Sequence, residues 1–279
     1  MVSLISRVER VALSEPDRRA VTCGEQRIDY GTLWAQARAF AAFLQASGIA
    51  AGDRVALILP NGIEAIVACY GSWLAGAVIV PLNAQARSRD FGPWLRHSEA
   101  RCVVHEGGHE DAKVAIDAIE TPLLRIITGS LDVDGSSVAW QSVVAAKSTH
   151  IAAQREPAEL AMILYTSGTT GAPKGVMLSH ANLAANVDSI ITYLDLGKDD
   201  SIVSVLPFYY SYGASVLHTH LAVGAYLVIE PNLVFPHLMV ETMARERVSG
   251  FSGVPSTFLL LLNRVSLADY DLSSLRYVT

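Results

Sequence analysis

Two rhythms of apolar residues alternate along this chain. In the first, apolar residues recur every three or four positions. Leu33, Ala37, Phe40, Ala41 and Leu44 do so while Gln36 and Gln45 fall off that face, which predicts an amphipathic helix with Asp29 at its N-cap and Gly48 as its stop. In the second, short unbroken apolar runs stand between turn residues, as at 55–59 and 78–81, the pattern of strands covered on both faces. Residues 20–23 and 27–28 flank Gly24-Glu25 and predict a hairpin. From there the rhythms interleave. Helices are expected over 63–74, 90–97, 111–119, 181–194 (capped by Ser179), 236–245 and 256–262, and strands over 101–105, 124–128, 160–164, 202–206, 225–229 and 276–278. Strand alternating with helix predicts an α/β fold with a doubly wound, mainly parallel sheet. Residues 129–157 carry little periodicity beyond 140–146 and read as a surface connection.

Composition narrows the class. At 51% hydrophobic residues over 279 positions, the chain can bury a sizeable core, but no apolar run reaches the roughly 18 residues of a membrane span. Charges scattered through the first twenty residues leave no signal-peptide core. A net charge of −6 without a long basic cluster points away from nucleic acid. Cys23, Cys69 and Cys102 are odd in number and widely spaced, which fits buried reduced thiols in a cytoplasmic enzyme and neither a disulfide frame nor a zinc site. His218 and His220 lie two apart on a helix and share no face, so they read as ordinary polar helix positions. His180, next to a cap, reads as a local hydrogen-bonding residue. No metal site is expected.

One stretch carries chemistry. After the apolar run at 160–164, Thr166-Ser167-Gly168-Thr169-Thr170-Gly171 passes without a large side chain, and Pro173 and Lys174 follow. Glycines let backbone N–H groups approach a ligand, the hydroxyls add donors, and the lysine adds a positive charge, so the stretch can cradle a polyphosphate. A flexible linker has a similar composition, but linkers are rarely framed by a strand before and apolar Val176-Met177-Leu178 after. The ordinary P-loop would need glycine at Pro173 and a hydroxyl residue at Gly175, so the stretch is not that loop.

Residues 164–180, LYTSGTTGAPKGVMLSH, resemble the phosphate-binding signature of the adenylate-forming superfamily of acyl-CoA synthetases, peptide-synthetase adenylation domains and luciferases. Three further motifs stand in the family's order. IDYGTL at 28–33 is similar to L-T-Y-x-E-L, with Asp29 for threonine and Thr32 for glutamate. LAGAVIVPLN at 74–83 is similar to K-A-G-A-x-x-V-P-L-N. Pro207 to Gly213 resembles the Pro-x-x-aromatic-x-x-Gly opening of the second substrate motif. The first two read as structural. The likeness runs from about residue 20 to 279, the front part of such enzymes. The adenine and ribose contacts, the magnesium carboxylate, the hinge and the mobile C-terminal domain with its lysine are not in this sequence.

The resemblance implies two stacked doubly wound sheets within an incomplete N-terminal AMP-binding domain. Its approximate subdomains are 1–58 with 195–279, and 59–194, and the signature sits at the carboxyl end of a strand beside their junction. It implies ATP- and Mg2+-dependent conversion of a carboxylic acid to an acyl-adenylate, then thioester formation with coenzyme A. Loading of phosphopantetheine on an acyl carrier protein, or a non-catalytic nucleotide-binding remnant, are the alternatives. By resemblance Thr166, Ser167, Gly168, Thr169, Thr170 and Gly171 grip the β- and γ-phosphates, Lys174 neutralises departing pyrophosphate, and Tyr210, Gly253, Val254 and Pro255 line the acyl site. Tyr210 stands where many acyl-CoA synthetases have histidine, and a core aromatic at a helix start is its other reading. No carboxylate occurs in 209–212 to hold an α-ammonium, so a fatty or other apolar acid is favoured over an amino acid. The chain alone is expected to bind ATP weakly and not to complete adenylation.

Overall fold

The computed structural model describes residues 2–129, 135–145, 153, 155–166, 173–230 and 235–279. Among these the chain runs through α1 (Leu4–Ser14), the hairpin strands β1 (Arg19–Cys23) and β2 (Gln26–Asp29), and α2 (Tyr30–Ala46). It continues through β3 (Arg54–Ile58), α3 (Ile63–Leu74), β4 (Val78–Pro81), α4 (Ser88–His97), β5 (Ala100–Glu106), α5 (Glu110–Asp117) and β6 (Leu124–Thr128). The short β7 (Val138–Ala139) and α6 (Trp140–Val144) precede β8 (Leu160–Thr166), β9 (Lys174–Ser179) and α7 (His180–Leu194). The last part comprises β10 (Ser201–Ser204), α8 (Ser211–Val223), β11 (Tyr226–Ile229), α9 (Pro236–Glu246), β12 (Gly250–Phe251), α10 (Pro255–Arg264) and β13 (Tyr277–Val278).

Contacts divide the chain into one compact unit over Leu33–Leu183 and another built from Leu4–Thr32 with Ala184–Thr279. The chain passes between them within α2 and α7, earlier than the expected boundaries at 58/59 and 194/195. The strand β3 explains the first difference: it pairs with β4 and β5 and so belongs to the first unit.

The first unit is a seven-stranded sheet in the order β7-β6-β5-β3-β4-β8-β9, parallel except for the β8–β9 hairpin. Its central strands β3 and β4 are almost wholly apolar and buried, as expected of strands covered by helices on both faces. Nearly all of α3 is buried, and Trp73 donates its indole N–H to the Ala161 carbonyl at 2.8 Å. Gly71 lets α3 lie against α2, since a Cβ there would stand 2.7 Å from the Ala37 carbonyl oxygen. On the other side of the sheet Phe91 and Leu95 of α4 and Ala112 and Ile116 of α5 pack on Ile58, Val80 and Val103, with Trp94, Ile163 and Tyr165 at the margin.

The second unit is a six-stranded sheet in the order β13-β12-β10-β11-β1-β2, parallel apart from the β1–β2 hairpin. The Tyr30 hydroxyl donates to the Ala225 carbonyl at 2.7 Å, and the Arg18 guanidinium reaches the Gly224 carbonyl at 2.7 Å just past α8. Met239, Val240 and Met243 of α9 and Leu261 of α10 pack on Val203, Val228 and Phe251.

The structure departs from the sequence reading at further points. The first twenty residues contain helix α1, with Leu4, Val8 and Ala12 buried at a spacing of four. Residues 174–179 form strand β9. His218 and His220 are core residues, each 2% exposed, and not ordinary polar positions. His180 is likewise buried and meets the Trp73 ring edge-on at 5.9 Å. Cys69 and Cys102 are buried and Cys23 half-buried, none of them in a disulfide, and burial pushes the two buried thiols up.

Candidate active site

The signature begins at the carboxyl end of β8. In the β8–β9 ladder Thr166 stands directly opposite Lys174, followed inward by Tyr165 opposite Gly175 and Leu164 opposite Val176. Directly opposed residues of an antiparallel pair project to the same face, so the Thr166 hydroxyl and the Lys174 ammonium share one side of the hairpin base. Both residues are exposed. Tyr165, Gly175 and Ile163 occupy the opposite side by the alternation of the strand. Ser167, Gly168, Thr169, Thr170 and Gly171 lie outside the described residues. Thr166 and Lys174 are the last pair of the ladder at this end.

Gly175 is demanded by packing. A Cβ there would stand 2.6 Å from Cγ2 of Ile163 and 3.7 Å from the Tyr165 ring. Its absence lets the side chains of β8 lie across the edge strand, which answers why a glycine follows the lysine.

The residues expected at the acyl site fall in the second unit. Tyr210 is the N-cap residue of α8, 55% exposed, with its ring centroid 4.5 Å from that of Tyr209. Burial, with Tyr210 adjoining, pushes the Tyr209 phenol up to about 12. The motif glycine, Gly213, sits in the first turn of α8, where a Cβ would lie 2.1 Å from the Pro207 carbonyl oxygen. The helix start is therefore pressed onto the backbone that follows β10. Gly253, Val254 and Pro255 form the turn into α10, with Val254 at the N-cap and Pro255 at the first helical position, where its missing N–H costs nothing.

Thr279 ties these two helix starts together. Its carbonyl accepts from the Gly253 N–H at 2.9 Å, its hydroxyl accepts from Tyr212 at 2.9 Å, and it shares a hydrogen bond with Ser252 at 2.7 Å. Sequence reading missed Tyr212, Ser252 and Thr279. The only signal for Tyr212 was its place two positions after Tyr210, and none distinguished the other two. Beneath the same strand ends, His220 donates from Nδ1 to the Val216 carbonyl at 2.7 Å and so accepts from the Tyr277 hydroxyl at Nε2, 2.6 Å away. Burial pushes the His220 imidazole down to about 4 and that of His218 down to about 3. Both are neutral near pH 7, and neither can act as a cation toward a carboxylate.

Among the described residues no group of three or more His, Cys, Asp or Glu is arranged to hold a metal ion, and no helix is long and apolar enough to cross a membrane. The arrangement offers a cation and a hydroxyl at the mouth of a glycine- and hydroxyl-rich connection, and separately an aromatic helix start beside a glycine-proline turn.

Residues 8–279 match the family model of the AMP-binding enzymes. The chain belongs to the AMP-binding enzyme family. It is 30% identical over 276 residues to a feruloyl-CoA synthase of Amycolatopsis sp, covering 96% of this chain and 52% of that protein. It is 30% identical over 286 residues to the L-proline–[L-prolyl-carrier protein] ligase of Streptomyces coelicolor, covering 98% and 53%. Thus the chain spans about half the length of the curated relatives it matches. Among solved structures, ATP-bound MatB of Rhodopseudomonas palustris superposes with a TM-score of 0.82 at 29% identity, over 99% of this chain and 54% of that one. An anthranilate CoA ligase in complex with anthranoyl-AMP superposes with a TM-score of 0.92 at 20% identity, over 99% and 54%, a likeness of fold. The mainly parallel two-sheet architecture is that of the N-terminal domain of adenylate-forming enzymes.

Proposed function

We propose that the protein activates an apolar carboxylic acid with ATP to give an acyl-adenylate and pyrophosphate, and then passes the acyl group to the thiol of coenzyme A. The observation that carries this reading is the hairpin base, where Thr166, the first residue of the glycine- and hydroxyl-rich stretch, and Lys174, three residues past its end, face each other across the ladder. The membership of the family supports it.

A carboxylate is a poor electrophile because its leaving group would be oxide. In the first step a carboxylate oxygen attacks the α-phosphorus, and the bond from that phosphorus to the oxygen bridging the β-phosphate breaks. Negative charge then builds on departing pyrophosphate. Hydroxyls and backbone N–H groups of Thr166, Ser167, Gly168, Thr169, Thr170 and Gly171 hold the β- and γ-phosphates, and the Lys174 ammonium neutralises the growing charge. Such catalysis is positioning and charge compensation, without covalent participation by the protein. Preorganised donors of this kind are worth about 3 kcal/mol each in the transition state. In the second step the thiolate sulfur attacks the acyl carbon and AMP leaves. Magnesium would supply further charge compensation, but the described residues offer no carboxylate cluster for it, so none of this chain's side chains is assigned to it.

Tyr210, with Gly253, Val254 and Pro255, flanks the acid in this reading. The absence of a carboxylate among residues 209–212 favours an acid without an α-ammonium. In this reading the Tyr209–Tyr210 rings offer the acid apolar area with a quadrupole. A second reading keeps the adenylation and replaces coenzyme A by the phosphopantetheine of a carrier protein. The likeness to a carrier-protein ligase favours it, whereas the missing α-ammonium partner argues against the same amino-acid substrate. The test offers the full-length protein ATP with fatty, aromatic and α-amino acids, and measures AMP release with coenzyme A or a carrier protein as acceptor. Apolar acids with coenzyme A should give the fastest release. Preference for α-amino acids would overturn the substrate reading, and release with the carrier alone would establish the second reading.

A further inference from the structure

The hairpin base is clamped from the side away from Thr166 and Lys174. Tyr165 lies one residue before Thr166 and faces Gly175, the residue after Lys174, across the ladder. Its hydroxyl stands 2.7 Å from Nδ1 of His97 at the last position of α4 and 3.4 Å from the Trp94 carbonyl one turn earlier. Its ring meets that of Trp94 at 5.9 Å and that of His97, edge-on, at 5.7 Å. A half-buried phenol on an edge hairpin is thus enclosed by one helix turn, and it fits because Gly175 has no side chain.

The strand β9 pairs only with β8 among the described strands, so nothing in the sheet beyond it fixes Lys174. An edge strand held by one ladder frays at the end where its connection enters. Anchoring through Tyr165 to a helix whose Phe91 and Leu95 are fully packed in the core transfers the rigidity of that core to the ladder pair beside Lys174.

We infer that Tyr165 and His97 are positioning residues for the phosphate site: their hydrogen bond holds the register of the hairpin base and so sets where the Lys174 ammonium stands. This inference rests on the phosphate-binding reading of Thr166 and Lys174. The hydroxyl can donate to a neutral Nδ1, or accept from a protonated one while donating to the Trp94 carbonyl. The link therefore has a bonded form for either state of His97, and substitution is the informative perturbation.

The experiment uses residues 1–279 and four single variants, Tyr165→Phe, His97→Ala, His97→Gln and Lys174→Ala, with the double variant Tyr165→Phe/His97→Ala. Tyr165→Phe keeps the ring and removes only the hydroxyl. Amide hydrogen exchange is followed along β9 at the alternate residues whose N–H groups donate into β8, with Val55 and Val103 as references in the sheet interior. Affinity for inorganic tripolyphosphate is measured by calorimetry at fixed salt. Tyr165→Phe should speed exchange at the ladder amides of β9 nearest Lys174 about tenfold, leave the references unchanged and weaken tripolyphosphate three- to tenfold. The double variant should be no worse than either single, because both break one bond. His97→Gln, which can still bond the hydroxyl, should recover most of both losses.

Unchanged exchange in Tyr165→Phe would overturn the inference whatever happens to the ligand. Faster exchange with undiminished tripolyphosphate binding, while Lys174→Ala loses it, would also overturn it, since the clamp would then serve the strand and not the site. If the wild type binds no tripolyphosphate and Lys174→Ala is indistinguishable from it, the phosphate reading itself fails and takes the inference with it.

Discussion

Replacing Gly213 by alanine puts a carbon where the backbone already is. The added Cβ would lie 2.1 Å from the Pro207 carbonyl oxygen, 2.6 Å from its carbonyl carbon and 2.7 Å from the Leu206 carbonyl oxygen. Comfortable contact is roughly 3.5 Å, so the start of α8 and the strand end must part by more than about 1 Å. No side chain can rotate away, because every obstacle is backbone. The cost belongs at the upper end of the range for overpacking, about 3 kcal/mol. Alanine's better helix propensity returns about 1 kcal/mol, leaving a net loss of about 2 kcal/mol. The assay is amide exchange at the buried ladder pair Val203 and Val228 in the six-stranded sheet, which reports on that unit directly. A loss of about 2 kcal/mol predicts exchange roughly 30-fold faster. Gly108→Ala is the control, since a Cβ there meets nothing within 4 Å. Its shorter list of unfolded conformations should make it neutral or stabilising by up to about 1 kcal/mol. Exchange in Gly213→Ala within twofold of wild type would show that the motif glycine is not held by this contact.

Further outcomes are expected elsewhere in the second unit. Tyr210→Ala in the full-length protein should alter the ranking of acids or the adenylation rate by about tenfold while leaving the KM for ATP within twofold; an unchanged acid profile would remove Tyr210 from the acyl site. Burial lowers His220 to about 4 in the folded state against about 6.5 unfolded. Above pH 6.5 neither state holds the proton and stability is flat on this account. Between pH 6.5 and about 4 the unfolded chain binds more protons, so stability falls by about 1.4 kcal/mol per pH unit from this residue. Urea midpoints measured from pH 8 to 4.5 should show that fall, and His220→Gln should shallow it without abolishing it, because His218 contributes in the same direction. A slope identical in wild type and variant would refute the assignment.

The legible parts of this chain were those where one local signal sufficed. Unbroken apolar runs marked the strands at 54–58 and 78–81 within a residue or so, since a strand covered on both faces has few polar positions to conceal it. Asp29 does cap α2, its carboxylate accepting from the Thr32 N–H at 2.7 Å, and Ser179 accepts from the Asn182 N–H at 3.1 Å ahead of α7. The edge strand β9 was harder to see. Val176 and Met177 are both exposed, and a strand paired on one side with exposed apolar residues lacks the alternation that identifies strands. Helix α1 carries its periodic signal only in Leu4, Val8 and Ala12, diluted by the charges between them. The burial of His218 and His220 was not legible, because it depends on Tyr277, nearly sixty residues away, supplying a hydroxyl to His220. The same holds for the Thr279 hub and for the Tyr165–His97 contact. Each depends on where sheet topology brings distant segments together, which local pattern does not encode. The signature named Lys174 as a phosphate ligand, and the ladder adds that Thr166 stands opposite it.

The measurement closest to the central claim is acid-dependent exchange of labelled pyrophosphate into ATP by the full-length protein, compared with Lys174→Ala. Losing one charge-compensating donor should slow exchange by about a hundredfold or more, corresponding to about 3 kcal/mol in the transition state. Binding of the acid, measured separately, should change by less than twofold. Exchange unaltered by Lys174→Ala, with acid affinity reduced in its place, would contradict the account.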